Sequence, residues 1–219
     1  MVEISTSLLN VDSENSMKTF YDLEVAGTNY FHIDVMDGKF VENDTDSVMR
    51  KYSEYLNHIS LIPLDIHLMV KDVKKYISDY LVFNPNTISF QIEALKGRED
   101  ILEIIKYVKD NNCKVGIAIK PQTSIEEIYE YLPFIHQVIV MTVEPGKGGQ
   151  KLIEDTIAKV KELKSYIEAN NIDIDIEADG GITLDNVEQV KKAGTNIIVA
   201  GTAIINSNSF KDTISKLKQ

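Results

Sequence analysis

The chain has 219 residues, of which 43% are hydrophobic, and it carries a formal net charge of −11. This length suffices for one large domain with a sizeable core, whereas the acidic balance, with two arginines and no dense lysine cluster, argues against nucleic acid as a partner. No apolar run approaches the ~20 residues of a membrane span, and no leader segment is evident. The single cysteine, Cys113, suits a reducing compartment. We therefore expect a cytoplasmic protein without membrane contact.

Apolar segments of strand length alternate along the chain with amphipathic segments of helical period. Several of the shorter segments are rich in Ile, Val and Phe, which is typical of strands covered on both faces. Between them, apolar residues at helical spacing mark the faces that helices would turn toward a core. The predicted strands lie near residues 2–8, 29–34, 62–67, 86–91, 114–119, 136–141, 173–178 and 196–200.

Polar residues and glycine mark where the helices begin and end. Asp72 is a candidate N-cap, and Thr123 and Thr183 are each followed by the early acids that favour a helix start. Gly194 follows a helical run as a candidate C-cap. Lys159, with Lys161 and Lys164, is predicted to lie on the solvated side of a helix.

The number and order of these units predict the fold class. Eight strand–helix units of roughly 25 residues, without a linker or a sequence repeat, predict an α/β fold of the (β/α)₈ TIM-barrel type that forms one domain over residues 1–219. A doubly wound open sheet is the rival, but it usually has a glycine-rich phosphate turn after its first strand. Here the first strand leads into Ser7-Leu8-Leu9, and the glycine-rich turns follow the last three strands.

Histidine and aspartate occur together at the ends of predicted strands. His32 and Asp34 lie two residues apart and therefore project to one side of a strand, and His67 and Asp179 end two other strands. In a barrel, these strand ends converge on one mouth. Each residue alone would be typical of a buried hydrogen-bonded group, but two imidazoles and two carboxylates together predict a site for zinc, iron(II), manganese or cobalt.

Two further groups of residues lie at the predicted mouth. Glycine-rich turns supply backbone N–H groups that can hold an anion without an arginine, and they also allow a mobile loop. Three methionines near strand ends are either gap-filling core residues or a water-poor wall beside a charge that forms during reaction. The turns contain Gly146, Gly148, Gly149, Gly180, Gly181, Gly201 and Thr202, and the methionines are Met36, Met69 and Met141.

Long motifs around these residues resemble those of the ribulose-phosphate 3-epimerases, in the same order and across nearly the whole chain. The first motif is His32-Ile33-Asp34-Val35-Met36-Asp37-Gly38, which continues to Val41. The other motifs are residues 65–70, 140–146 with 148–150, and 176–182.

The resemblance implies a (β/α)₈ barrel that binds one divalent metal ion, often zinc, and forms a homo-oligomer. It implies an isomerase of the pentose phosphate pathway that interconverts D-ribulose 5-phosphate and D-xylulose 5-phosphate. Asp34 and Asp179 match the acid/base pair, and together with His32 and His67 they match the metal ligands. The positions that match substrate-binding residues are Ser7, His67, Gly146, Lys147, Gly148, Gly149, Gly180, Gly181, Gly201 and Thr202.

Two opposed carboxylates suit this chemistry because inversion at C3 removes a proton from one face and returns one to the other. The intermediate is an enediolate, whose charge a cation stabilises. The chain departs from the family at Lys147, where an aromatic residue is usual, and at Gln91, where histidine is common.

Three alternative functions remain open from the sequence. The first is epimerisation of a six-carbon ketose phosphate such as D-allulose 6-phosphate, because the motifs of such enzymes are nearly the same. The second is a phosphosugar-binding barrel without catalysis, which would not need both Asp34 and Asp179. The third is a lyase or decarboxylase, for which Lys120 would be the catalytic lysine although no acid flanks it closely.

Overall fold

A computed structural model describes residues 1–219 and contains a closed barrel of eight parallel strands arranged in chain order. Pairing of β1 with β8 closes the barrel, so the predicted TIM barrel is confirmed and the open sheet is excluded. Each strand starts and ends within two residues of its predicted bounds. The strands are β1 (Glu3–Ser7), β2 (Tyr30–Met36), β3 (Leu64–Met69), β4 (Thr87–Gln91), β5 (Lys114–Ile119), β6 (Gln137–Met141), β7 (Asp175–Asp179) and β8 (Ile197–Ala200).

Eight α-helices surround the barrel, and none of them is long and apolar enough to cross a bilayer. A short additional helix, α7, follows β8 before the C-terminal helix. The helices are α1 (Ser16–Ala26), α2 (Asp46–Ile59), α3 (Val73–Leu81), α4 (Arg98–Asp110), α5 (Asp155–Ala169), α6 (Val187–Ala193), α7 (Thr202–Ile205) and α8 (Phe210–Lys218).

The helix boundaries confirm two predicted caps and correct two others. The Asp72 side chain accepts a hydrogen bond from the Lys75 amide (3.2 Å), and Gly194 ends α6 in the left-handed conformation with φ 110°. The segment opened by Thr123 forms two 3₁₀ turns, Ile125–Ile128 and Leu132–Phe134, instead of an α-helix. Its hydroxyl accepts no capping hydrogen bond and instead donates to Glu93 Oε1 (2.5 Å).

The second correction concerns the start of α6. This helix begins at Val187 and not at Thr183, because residues 183–186 form a turn in which Asn186 Oδ1 accepts from the Thr183 amide (2.8 Å). The turn leads directly into the helix, because the Thr183 carbonyl accepts from the Val187 amide (3.0 Å) and the Thr183 hydroxyl accepts from the Asp185 amide (3.3 Å).

Lys159 is also not the solvated residue that the sequence predicts, whereas Lys161 is exposed. The Lys159 ammonium donates to the carbonyl oxygens of Lys120 (3.1 Å), Pro121 (2.7 Å) and Thr123 (2.5 Å). Its partial burial lowers the pKa of the ammonium. This side chain of α5 therefore holds the loop that follows β5.

Strand β2 shows how alternate side chains are divided between the outer core and the barrel interior. Phe31, Ile33 and Val35 of β2 belong to the continuous hydrophobic core that the strands share with the helices. The alternating residues His32 and Asp34 are equally buried but face the barrel interior. The alternation thus directs the chemically reactive side chains of β2 into the barrel interior, near its mouth.

Cys113 is buried at the start of β5, and burial raises the pKa of its thiol to about 12. Because the thiolate is the nucleophile, only about one molecule in ten thousand would be reactive at pH 8. We therefore expect no modification of the native protein by iodoacetamide at pH 8 over a period in which urea-unfolded protein reacts fully, as measured by intact mass. Rapid labelling of the native protein would contradict the buried position.

Candidate metal centre and active site

The carboxyl ends of the strands surround a cavity of about 370 Å³. Asp34 and Asp179 project into the cavity, whereas His32 and His67 lie fully buried behind them. Every other predicted site residue lines the cavity: Ser7, Met36, Met69, Met141, Gly146, Lys147, Gly148, Gly149, Gly180, Gly181, Gly201 and Thr202.

The two histidines and two aspartates converge on one point. His67 Nδ1 lies 3.3 Å from Asp179 Oδ2 and 3.9 Å from Asp34 Oδ1. His32 Nε2 lies 3.6 Å from Asp34 Oδ1 and 3.8 Å from Asp179 Oδ2. Ligands of a tetrahedral zinc ion are about 3.3–3.4 Å apart, given bonds of about 2.0–2.1 Å. The four side chains therefore have nearly the spacing of a tetrahedral metal site.

The hydrogen-bonding state of the histidines also fits a metal ion. His32 Nε2 and His67 Nδ1 are buried and have no hydrogen-bond partner, although buried polar atoms are nearly always paired. Both atoms face the same two carboxylates. A cation between them would satisfy both imidazole nitrogens and both negative charges at once.

A layer of polar side chains lies beneath His32. His32 Nδ1 lies 2.7 Å from Asp65 Oδ2 and 3.3 Å from Glu177 Oε1, so Nδ1–H donates to the carboxylate and Nε2 is directed at Asp34 and Asp179. Ser5 Oγ donates to Asp65 Oδ2 (2.8 Å), and Gln137 Nε2 donates to Glu177 Oε2 (2.6 Å). We call Ser5, Asp65, Gln137 and Glu177 the carboxylate layer.

The sequence analysis did not single out the carboxylate layer, although one signal was available. Asp65 and Glu177 lie two residues before His67 and Asp179 in their strands, and Ser5 lies two before Ser7. Residues two apart in a strand share a face, so acids at these positions must also face the barrel interior.

Charge is distributed unequally within this layer. Burial alone would raise the pKa of Asp65, but His32 beside it brings the pKa below its usual range. Burial and repulsion by Asp65 raise the pKa of Glu177 well above its usual range. Of the two carboxyl groups, Asp65 therefore holds negative charge more readily, directly beneath the imidazole of His32.

Asp34 uses its two carboxylate oxygens differently. Oδ1 faces the two imidazoles, whereas Oδ2 accepts a hydrogen bond from Ser7 Oγ (2.7 Å). Burial tends to raise the pKa of Asp34, but His32, His67 and Ser7 together lower it overall. Asp34 is thus held ionised, with one oxygen directed at the candidate metal position.

Glycines at the mouth allow close approaches that other residues would prevent. Gly180 has φ 118°, and a Cβ there would lie 2.2 Å from Val143 Cγ2. Gly181 has φ 67°, and a Cβ would lie 2.4 Å from the Leu152 amide nitrogen. The adjacent helix α7 begins at Thr202, where backbone N–H groups have no partner within the helix. These loops form a cradle of backbone groups at one side of the cavity.

The loop after β6 lies at the rim of the mouth, where it contacts the glycine turn after β7 and reaches the loop after β2. Asn43 Nδ2 donates to the Gly146 carbonyl (2.6 Å), and Gln150 Nε2 donates to the carbonyls of Glu144 (2.6 Å) and Lys147 (2.9 Å). The Lys147 side chain is exposed at this rim.

The other two histidines lie away from the cavity. His58 is exposed on α2, and His136 Nδ1 accepts from the Val115 amide (3.2 Å) next to β5. They take no part in the metal centre.

The Gly180→Ala variant should lose both stability and substrate affinity, because its new methyl group meets Val143 and its backbone is strained. We expect KM for a sugar phosphate to rise at least tenfold and the melting temperature to fall. The matched control is Gly27→Ala, which has φ 88° but no atom within 4 Å of the added Cβ. This control should lower the melting temperature without changing KM, and equal KM values in the two variants would contradict a role for Gly180 at the substrate site.

Comparisons with known proteins agree with the sequence motifs. The model of the "Ribulose-phosphate 3 epimerase family" matches residues 3–205. Proteins named ribulose-phosphate 3-epimerase from Methanocaldococcus jannaschii and Bacillus subtilis are each 32% identical over 219 residues, which is 100% of this chain and 91% and 99% of theirs. The protein of that name from Escherichia coli K12 is 31% identical over 215 residues, covering 98% of this chain and 94% of its own.

Solved structures share the architecture at low sequence identity. KGPDC from Streptococcus mutans superposes with a TM-score of 0.73 at 11% identity, covering 100% of this chain and 96% of its own. The 3-hexulose-6-phosphate synthase from Salmonella typhimurium has a TM-score of 0.70 at 12% identity, with 100% and 97% coverage. At such identities the likeness concerns the fold alone.

Proposed function

Because the chain belongs to the ribulose-phosphate 3-epimerase family, we propose that it is a metal-dependent isomerase that interconverts D-ribulose 5-phosphate and D-xylulose 5-phosphate. The main support from the structure is the meeting of Asp34 and Asp179 with two unpaired imidazole nitrogens at the cavity floor. This arrangement supplies two carboxylates for proton transfer and one place for a cation.

Asp34 and Asp179 divide the proton transfers between them. They reach the cavity from β2 and β7, on different walls of the barrel, so each can address one face of C3. One carboxylate removes the C3 proton to give an enediolate, and the other, protonated, returns a proton to the opposite face. In the reverse direction the two residues exchange these roles.

His32 Nε2, His67 Nδ1, Asp34 and Asp179 would hold one divalent ion, with zinc the first expectation and iron(II), manganese and cobalt the others. When bound, such an ion supplies positive charge that stabilises an enediolate and acidifies the C3 hydrogen. Ser7 orients Asp34 through its hydrogen bond to Oδ2. Met36, Met69 and Met141 line the cavity and exclude water beside the developing charge.

The glycine loops would bind the phosphate group. Gly180, Gly181, Gly201 and Thr202 bring backbone N–H groups to one end of the cavity, and Gly146–Gly149 cover it from the rim. Backbone donors of this kind bind phosphate without an arginine. We also infer from the family that the protein is a homo-oligomer of the cytoplasm.

The decisive experiment compares turnover of two sugar phosphates by the purified protein. We expect kcat/KM for D-ribulose 5-phosphate to exceed that for D-allulose 6-phosphate at least tenfold, because the family model and the relatives are named for ribulose phosphate and the additional carbon would have to be accommodated in such a site. The reaction can be followed by NMR of the product.

Two outcomes of this comparison would overturn the proposal. Faster turnover of D-allulose 6-phosphate would identify a six-carbon epimerase. Binding of either sugar without turnover, in protein loaded with metal, would identify a barrel that only binds phosphosugars.

A further inference from the structure

Gln91 lies against the outer nitrogen of one candidate metal ligand. It is the last residue of β4, is fully buried, and has its amide nitrogen 3.1 Å from His67 Nε2. Its amide oxygen, Oε1, is buried without a hydrogen-bond partner. The Gln91 amide nitrogen therefore has a hydrogen-bonding partner in His67, whereas its amide oxygen has none.

The position of the proton on His67 limits how this contact works. His67 Nδ1 faces Asp34 and Asp179, and it can bind a cation only through its lone pair. The proton of the neutral imidazole must then lie on Nε2, where it needs an acceptor. An amide nitrogen cannot accept, whereas an amide oxygen can.

A half-turn of the Gln91 amide about its last torsion exchanges the oxygen and the nitrogen. In either orientation one atom of the amide faces His67 and the other has no partner in the protein. The hydrogen bond with His67 therefore determines which orientation is favoured. With Oε1 toward His67, the contact becomes an ordinary N–H···O hydrogen bond of 3.1 Å.

We propose that Gln91 is a positioning residue whose Oε1 accepts the Nε2–H of His67 and so keeps Nδ1 free to bind the metal ion. This inference rests on the metal site of the proposed function. It gives the buried amide a role that no other contact of Gln91 supplies.

The two histidines then differ in the charge behind them. His32 donates to the carboxylate of Asp65, with Glu177 close by, whereas His67 donates to a neutral amide. A carboxylate acceptor makes an imidazole a stronger ligand than an amide does. His67 is therefore the weaker of the two imidazole ligands, and the ion retains more positive charge for the substrate.

Two substitutions at Gln91 separate the roles of its oxygen and its nitrogen. Gln91→Met has nearly the same shape but no acceptor, whereas Gln91→Glu can only accept. The matched control is Ser89→Ala, because Ser89 is buried on the same face of β4, is paired with His67 in the strand register, and has an unpartnered hydroxyl.

The first measurement is the zinc dissociation constant of each metal-free variant, obtained by competition with a chelator. We expect Gln91→Met to bind zinc about 10- to 100-fold more weakly than the wild type. Gln91→Glu should bind zinc at least as tightly as the wild type but have a lower kcat. The zinc affinity of Ser89→Ala should be unchanged. The second measurement is the side-chain ¹⁵N spectrum of the zinc-loaded protein, in which His67 should show a slowly exchanging Nε2–H that Gln91→Met loses.

The outcomes separate this inference from the metal site itself. Wild-type protein that binds no zinc would overturn both. Tight zinc binding by the wild type and equally tight binding by Gln91→Met would overturn the role of Gln91 alone. Weak binding by Gln91→Glu would do the same, because it would show that the amide nitrogen makes the necessary contact, and this variant keeps the test decisive if Gln91→Met fails to fold.

Discussion

The Asp179→Asn variant should lose at least about a thousandfold in epimerase turnover while it still binds sugar phosphate. Asparagine preserves the shape of the side chain and one oxygen toward His67 Nδ1, which lies 3.3 Å from Asp179 Oδ2. It cannot, however, take up or return a proton. Phosphate binding should persist because the donors that we propose for it are the backbone N–H groups of Gly180, Gly181 and the start of α7, and not the carboxylate.

Hydrogen exchange at C3 makes this prediction sharper. In D₂O, Asp34→Asn and Asp179→Asn should each fail to exchange the C3 hydrogen of one epimer, and the two variants should fail with opposite epimers. The matched control is Glu144→Gln, which alters a carboxylate that lines the same cavity but lies outside the four-ligand cluster. Zinc content must be measured in each variant, since both aspartates are candidate ligands.

Two results would contradict the two-carboxylate mechanism. One is near-normal turnover by Asp179→Asn with full metal content. The other is loss of exchange with the same epimer in both aspartate variants, which would indicate that a single base serves both faces.

The barrel and its mouth could be predicted because both follow from patterns within short segments. Phe31, Ile33 and Val35 alternate with His32 and Asp34, so one strand shows which side chains face inward. Repetition of such strands with helices between them predicts a parallel sheet, the number of eight units favours its closure, and closure brings all carboxyl ends to one rim. The meeting of His32, Asp34, His67 and Asp179 needs no more information than this.

The features that the sequence did not reveal depend on partners far along the chain. Thr123 begins no α-helix, and its hydroxyl instead donates to Glu93, 30 residues away. Lys159 is partly buried because its ammonium donates hydrogen bonds to three carbonyl oxygens that lie 36 to 39 residues earlier in the chain. Periodicity describes which side of a helix a residue occupies, but not which loop will lie above it.

The carboxylate layer shows the same limit more clearly. Ser5 donates to Asp65 across 60 residues, and Gln137 donates to Glu177 across 40. The inward direction of Asp65 and Glu177 could be inferred from their spacing, but the register that stacks them under His32 could not. The chain therefore specifies the candidate ligands locally and their supports only through the closed barrel.

Removal of the metal ion should abolish activity and lower stability at the same time. We expect dialysis against a chelator to reduce epimerase turnover to background, and zinc, cobalt, manganese or iron(II) to restore it to different extents. The stability should change because a ligand that binds only the folded state stabilises it by about 2.7 kcal/mol at a hundredfold excess over Kd. Without the ion, Asp34 and Asp179 are left as close buried carboxylates that only the imidazoles can balance.

The histidines provide the control for this experiment. His67→Ala should bind the ion weakly and melt at the temperature of the chelated protein, whereas His58→Ala, which alters an exposed residue on α2, should behave as the wild type. Metal affinity should fall as the pH is lowered, because the imidazoles and carboxylates bind only when deprotonated. The metal requirement would be contradicted if chelated protein with less than one ion per hundred chains kept full activity. Acid/base catalysis by the two aspartates would then suffice without a cation, and the four side chains would meet for another reason.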